Sequence, residues 1–343
     1  MTPMTTTRRP ATGSLLGLAL GDALGFPTEF HDVPAILDKC GPWREMELPG
    51  SSVAYITDDT QMALAVARAL REGTGRGTLG PKGFERPLRE EFVDWFRSPD
   101  NNRAPGRTCL RACGLLETGS RGWQDASQIH SKGCGANMRV TPLGLVPGLS
   151  DEQRAGAAQL QAGLTHGHPT GLAAADLTAH AVRLLAQGAE PTGLVGMLRS
   201  YAYENRETYH EAWLGDLWRR GSEPTPQRFI AHGWDECLGV LDRLRGALRE
   251  QSPETDPCLA TGAGWIAEEA LATGLLCFLL FVDEPVLALR RAACTSGDSD
   301  SIAALTGAFA GAYCGAGAWP REWVARIEHR EELLEFGAEW DAV

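Results

Sequence analysis

Two four-residue segments near opposite ends of the chain pair carboxylates with hydroxyls: Thr57-Asp58-Asp59-Thr60 and Asp298-Ser299-Asp300-Ser301. Asp, Ser and Thr are preferred helix N-caps, and Asp58 with Gln61 fits a capping box, so helix initiation accounts for either segment alone. A single cap oxygen would meet that need, yet each segment offers two carboxylates at the entrance to an apolar helix. Four carboxylates gathered beside apolar surface repel one another and resist ionisation unless cations join them. Their four charges would balance two divalent ions, and an oxygen-only donor set selects hard ions such as Mg²⁺ or Mn²⁺ over Zn²⁺. Capping and a shared metal site both stand as readings of these residues.

A third segment, SKGCGANMR at 131–139, carries Gly133 and Gly135. Such residues tolerate positive φ and expose successive backbone N–H groups, a nest suited to a diphosphate. An ordinary glycine turn is the simpler alternative. The segment is neither a Walker loop nor a GxGxxG fingerprint. His166 and His168 form a His-x-His pair without a nearby third nitrogen or sulfur ligand, which points to a structural or stacking role over zinc. Trp265, by residue type alone, reads as a core aromatic.

The elements that must position these groups read as helices. Ala, Leu and Gly dominate, and period-2 runs of β-formers are scarce. Gly13, Gly17, Gly21 and Gly25 recur every four residues, making a helix ridge without side chains that lets another backbone approach closely. A core helix is expected over 58–72, a surface excursion over 73–106, and two helices within 151–190 separated by LTHGHPTG. Residues 205–235, with Trp213, Trp218 and Trp234 among charges, read as peripheral. SIAALTGAFAGAYCG reads as a central helix of small residues. One all-α domain over 13–343 follows, with residues 1–12 as a flexible tail.

Composition bounds the function. The chain has 343 residues, 43% hydrophobic and 22% charged, with 44 acidic against 32 basic side chains and a net charge of −12. That balance excludes a general phosphate-backbone binder, so nucleic acid is not an expected partner. Nine cysteines without a CxxC pair fit buried reduced thiols and a cytoplasmic location. The longest uncharged apolar run, 270–282, is shorter than the roughly 20 residues a membrane span needs. Arg8-Arg9 before SLLGLALG resembles a twin-arginine leader, but Asp22 interrupts the apolar run and no cleavage site follows.

Taken in order, the motifs resemble the ADP-ribosylglycohydrolase family. The matching segments are GSLLGLALGDALGFPTEF (13–30), YITDDTQMALA (55–65), SKGCGANMRVTPLGL (131–145), LTHGHPTG (164–171), GAGWIAEEALATGLLCF (262–278) and SGDSDSIAALTGAFAGAYCG (296–315). The resemblance implies an orthogonal multi-helix bundle with a central binuclear metal site holding two Mg²⁺, or Mn²⁺. By position the metal ligands fall on Thr57, Asp58, Asp59, Asp298, Asp300 and Ser301. Glu29 matches an acidic residue on a mobile segment covering the site. Ser131, Gly133, Cys134, Gly135, Ala136 and Met138 match the loop that holds the diphosphate through backbone N–H groups. His166 matches a position at the adenosine end, and Trp265 an aromatic beside the departing group.

The implied reaction is Mg-dependent hydrolysis of the glycosidic bond at C1″ of ADP-ribose on a modified protein side chain, releasing ADP-ribose. Asp58, Asp59 and Glu29 are the catalytic candidates, with Asp58 or Asp59 accepting the proton from water. Glu268 or Glu269 would orient a guanidinium leaving group. GDSDS together with LTHGHPTG leans toward arginine-linked substrates. The alternatives are O-linked ADP-ribose on serine or an acetyl ester, nucleic-acid ADP-ribose, or a non-catalytic protein that binds ADP-ribose or a toxin. Cys134 stands where many relatives carry Asn, and Ser301 where several branches carry Thr.

Overall fold

The computed structural model describes residues 8–50, 52–75, 77–119, 122–250 and 252–343. Among these, helices, short 3-10 turns and three isolated bridges make up the regular structure, and no β-strand forms. The all-α bundle expected from composition is therefore the observed architecture. The helices that build the site are Pro10–Gly25 (α1), Asp58–Gly75 (α2), Pro81–Arg97 (α3), Arg107–Glu117 (α4), Asp151–Gly163 (α5), Pro169–Ala186 (α6), Pro226–Glu250 (α7), Ala267–Leu280 (α8), Ser299–Cys314 (α9) and Arg330–Asp341 (α10).

The glycine ridge sets the centre. α1 and α9 run antiparallel, with Gly13 against Gly311, Gly17 against Gly307, Gly21 against Ala303, and Gly25 against Ser299 and Asp300. A methyl group added at any of these glycines of α1 would overlap the facing backbone, so close packing here requires the absence of Cβ. The pairing brings the C-terminus of α1, which leads into Glu29, beside the N-terminus of α9, which carries Asp298 and Asp300.

α1 begins three residues earlier than the sequence reading placed it. Pro10 opens the helix, and the Asp341 carboxylate at the far end of the chain accepts from the N–H groups of Ala11 (2.8 Å) and Thr12 (3.0 Å) and from the Thr12 hydroxyl (2.7 Å). Residues 8–12 are thus tied into the bundle instead of forming a tail, while residues 1–7 lie outside the described residues.

Two further expectations need correction. The excursion at 73–106 contains the 17-residue α3, whose Phe84, Leu88, Phe92 and Trp95 recur at helical spacing and are buried against the bundle. Truncating Phe92 to Ala would cost about 3–5 kcal/mol. The supposedly peripheral 205–235 segment buries Trp213 and Trp234 completely or nearly so. Trp234 sits on the inner face of the amphipathic α7, whose charges occupy the outer face. The remaining elements follow the sequence closely: α5 starts at a Ser150–Gln153 capping box, and His168 caps α6 through Nδ1, which accepts from the Thr170 N–H at 3.2 Å. Among the described residues no helix is long and apolar enough to cross a membrane. All nine cysteines are free thiols.

Candidate functional site

Capping of α2 falls to a residue outside the acidic segment. Asp22, fully buried on α1, accepts from the N–H groups of Thr57 (3.0 Å) and Thr60 (3.1 Å) and from the Thr60 hydroxyl (2.5 Å). Asp58 is the first residue of α2, and Gln61 bonds instead to Trp95 Nε1 and the Asp100 carbonyl. The capping box read from the sequence does not form. Asp58 and Asp59 are left free for other work. One Asp58 oxygen accepts from the Gly106 N–H at 3.1 Å, while Asp59 Oδ2 is buried without a hydrogen-bond partner.

The second segment behaves similarly. Asp298 occupies the N-cap position of α9 yet makes no side-chain cap bond, and its own N–H donates to the Ala263 carbonyl at 2.8 Å. Ser299 turns away from the cleft to donate to the Gly25 carbonyl, and an Asp300 oxygen accepts from the Ser301 N–H at 3.0 Å. Carboxylate oxygens of Glu29, Asp298 and Asp300 lie within 4.8 Å of one another.

These groups share one cleft. It encloses about 380 Å³ and is lined by Glu29, Asp58, Asp59, Asp298, Asp300 and Ser301 at its acidic end. Burial is the largest force on every carboxylate here, and repulsion from Asp300 adds to it at the other five. Asp22 and Asp58 are pushed up to about 7 and Glu29 to about 9, while Asp59, Asp298 and Asp300 also rise. A cluster of buried acids with an orphaned oxygen and only oxygen donors fits divalent cations of the Mg²⁺ type. Asp22 was missed in the sequence; its only signal was a lone charge in an apolar helix.

The glycine loop forms the next wall. Gly133, Cys134, Gly135, Met138 and His166 line the cleft. Neither Gly133 nor Gly135 has positive φ, contrary to the nest reading. Gly135 is needed for space: a Cβ there would lie 2.8 Å from Cys109 Sγ and 2.9 Å from His166 Cε1. The Cys134 N–H, expected among the diphosphate donors, is bonded to the Trp265 carbonyl at 3.1 Å. Three predicted residues stand behind the wall. The Thr57 hydroxyl accepts from the Asp59 N–H, Ser131 pairs with the Thr108 hydroxyl, and Ala136 is fully buried with its carbonyl on Gln161.

His166 is buried, and burial followed by the Arg139 charge pushes it down to about 3, so the ring is neutral. At the mouth, Trp265 is 42% exposed and stacks on Phe30, with centroids 5.4 Å apart and planes 15° off parallel. It is no core aromatic. Phe30, 70% exposed, sits at φ 65°, a left-handed conformation that aromatic residues adopt only when the surroundings impose it. Nothing in the sequence singled it out. Glu268 does not line the cleft and is engaged by Lys132 at 2.6 Å. A larger and more open groove of about 860 Å³, lined by His180 and Tyr201 among others, contains none of these residues.

Comparison with known proteins gives the same picture. A model of the ADP-ribosylglycohydrolase family matches residues 3–342. The human protein "ADP-ribosylhydrolase ARH3" is 28% identical over 349 residues, covering 93% of this chain and 89% of its own length. The "ADP-ribosyl-[dinitrogen reductase] glycohydrolase" of Rhodospirillum rubrum is 31% identical over 60% of this chain and 67% of its own. "ADP-ribosylarginine hydrolase Tri1" of Serratia proteamaculans is 24% identical over 94% of this chain and 76% of its own. A solved structure titled "ADP-ribosylglycohydrolase-related protein complex" superposes with a TM-score of 0.69 at 24% identity over 98% of both chains, which establishes a common fold. With the family pattern running through the whole bundle and its acidic motifs meeting in one cleft, the chain belongs to the ADP-ribosylglycohydrolase family.

Proposed function

We propose that this protein is a Mg-dependent hydrolase that removes ADP-ribose from modified protein side chains, with arginine-linked ADP-ribose as the favoured substrate. The observation that carries the reading is the convergence of Asp58, Asp59, Asp298 and Asp300 with Glu29 in one buried cleft, where capping leaves their oxygens free. Thr57 and Ser301 complete the set of residues assigned to two cations. Divalent ions held there supply Lewis acidity toward water and sugar hydroxyls.

The protein groups divide the remaining work. Asp58 has one oxygen fixed by the Gly106 N–H, which orients the other toward the cleft as acceptor for the proton of the attacking water. Asp59 and Glu29 flank the same space and stabilise positive charge as the sugar becomes oxocarbenium-like. The neutral His166 does not compete as a base. The glycine loop leaves room for a diphosphate to approach the backbone. Phe30 and Trp265 shield the mouth from water and offer π faces to a planar cation, which supports a guanidinium as the departing group.

Incubation with ADP-ribosylated arginine and Mg²⁺ tests this directly. Release of ADP-ribose is expected, with a loss of about 10³-fold or more for Asp300→Ala. No release by the parent protein would remove the arginine assignment. A second reading, O-linked ADP-ribose, is favoured by the similarity to the human ARH3 protein across nearly the whole chain. Turnover of serine-linked substrate beside the arginine-linked one decides between them, and retained target binding by an inactive Asp300→Ala variant would mark a separate binding role.

A further inference from the structure

Arg139 is fully buried and makes no ion pair among the described residues. Its guanidinium lies over the Phe92 ring at 4.2 Å and donates to Gln161 Oε1 (2.8 Å), the Gln161 carbonyl (2.8 Å) and Thr165 Oγ1 (2.7 Å), with longer contacts to Met62 and Cys109 sulfurs. Thr165 Oγ1 is also 2.8 Å from His166 Nδ1. Arginine has no acceptor and cannot be deprotonated in a protein, so Thr165 must accept from it. The hydroxyl then has one proton to place. Two acceptors are within reach: His166 Nδ1 and, at 3.5 Å, the Ala162 carbonyl. That carbonyl already accepts from the N–H groups of His166 (2.7 Å) and Thr165 (3.1 Å), which fills its lone pairs. The Thr165 proton therefore goes to Nδ1, and the ring proton must sit on Nε2.

We propose that Arg139, acting through Thr165, locks His166 as the Nε2–H tautomer, so that the ring presents a hydrogen-bond donor to a phosphate or ribose oxygen of the substrate. The Nε2 edge faces the cleft beside Gly133 and Gly135 and has no protein partner among the described residues. Arg139 itself does not reach the cleft; it is a positioning residue. Burial and the Arg139 charge also keep the ring neutral, so the tautomer holds across the working pH range. The relay explains why a buried arginine without a carboxylate partner is placed here: a neutral donor in its position would leave the threonine free to rotate. The identity of the acceptor rests on the proposed function, whereas the tautomer does not.

Long-range ¹H–¹⁵N spectra of protein labelled at histidine nitrogens, with His166 assigned by loss of its signals in His166→Gln, read the tautomer without ligand. A protonated Nε2 and an unprotonated Nδ1 are expected from pH 5 to 8. Thr165→Val should release the lock, mix the tautomers and weaken ADP-ribose binding in Mg²⁺ by about ten-fold, while Thr165→Ser preserves both. At position 166, Gln retains an N–H near the Nε2 position and should bind within about three-fold of the parent, against a loss of ten-fold or more for Leu. An Nδ1–H ring in the parent protein overturns the proposal, as does a Thr165→Val variant with unchanged tautomer and affinity. If circular dichroism shows Thr165→Val unfolded, the parent spectrum and the Gln and Leu variants decide. Failure of the parent protein to bind ADP-ribose at all would sink the functional reading, with the ring assignment standing or falling on its own spectrum.

Discussion

Asp58 and Asp59 are held by hydrogen bonds that reach in from elsewhere, whereas Asp298 and Asp300 are held by the close approach of backbones. At the first segment, Asp22 anchors the α2 entrance through three donors, and Gly106 fixes one Asp58 oxygen. At the second, Gly25 leaves space for Ser299 and Asp300, and Gly297 lets the Asp298 N–H meet the Ala263 carbonyl. The same residue types are thus fixed by electrostatics on one side and by steric fit on the other. The first should respond to pH and ions, the second to volume.

The largest effect is expected on the steric side. A Cβ at Gly25 lands on the Asp300 Cα and the Ser299 carbonyl, so Gly25→Ala should lower folding stability by about 2–3 kcal/mol and weaken Mg²⁺ binding together. Urea unfolding with and without Mg²⁺ measures both. An unchanged midpoint would show that the ridge has slack and dissolve the contrast.

The next effect is electrostatic. In metal-free protein the folded-state pKa values of Asp22, Asp58 and Glu29 lie above their unfolded values, so the folded state binds more protons. Stability from these groups is fully present below about pH 4 and is lost as pH rises through about 7 and then about 9. The thermal midpoint of metal-free protein should fall by about 3–5 °C between pH 5 and 9, and Mg²⁺ should flatten that decline. A flat profile without Mg²⁺ would mean that the acids are relieved in another way.

The smallest effect separates the two roles of Asp22. Asp22→Asn loses one acceptor for the α2 entrance but also one buried charge. It should cost about 1–2 kcal/mol with Mg²⁺ bound and less without it, where relief of repulsion offsets the lost cap. Calorimetry on both forms reads the difference.

Much of this was legible in advance, and the pattern of what was not is physical. The four-residue glycine period identifies a backbone-to-backbone helix pair because spacing on one helix is a local property. The two acidic segments stood out for the same reason. Asp22, Phe30 and Asp341 did not, since each acts on a partner distant in the chain and none belongs to a motif of spaced chemistry. Helix α3 and Trp234 were read as surface because charge density masked the buried stripe beneath it. The glycines at 133 and 135 were noticed for the wrong property: backbone freedom suggested a nest, where the fold uses their lack of volume to seat His166.

The pairing of α1 with α9 has a mechanical consequence. Because the two backbones touch without intervening side chains, neither helix can slide or rotate against the other without collision, and together they behave as one rigid beam under the floor of the cleft. Any opening that admits a bulky modified protein must therefore come from the short stretch beyond the beam's end, residues 26–30, where Glu29 and the strained Phe30 reside.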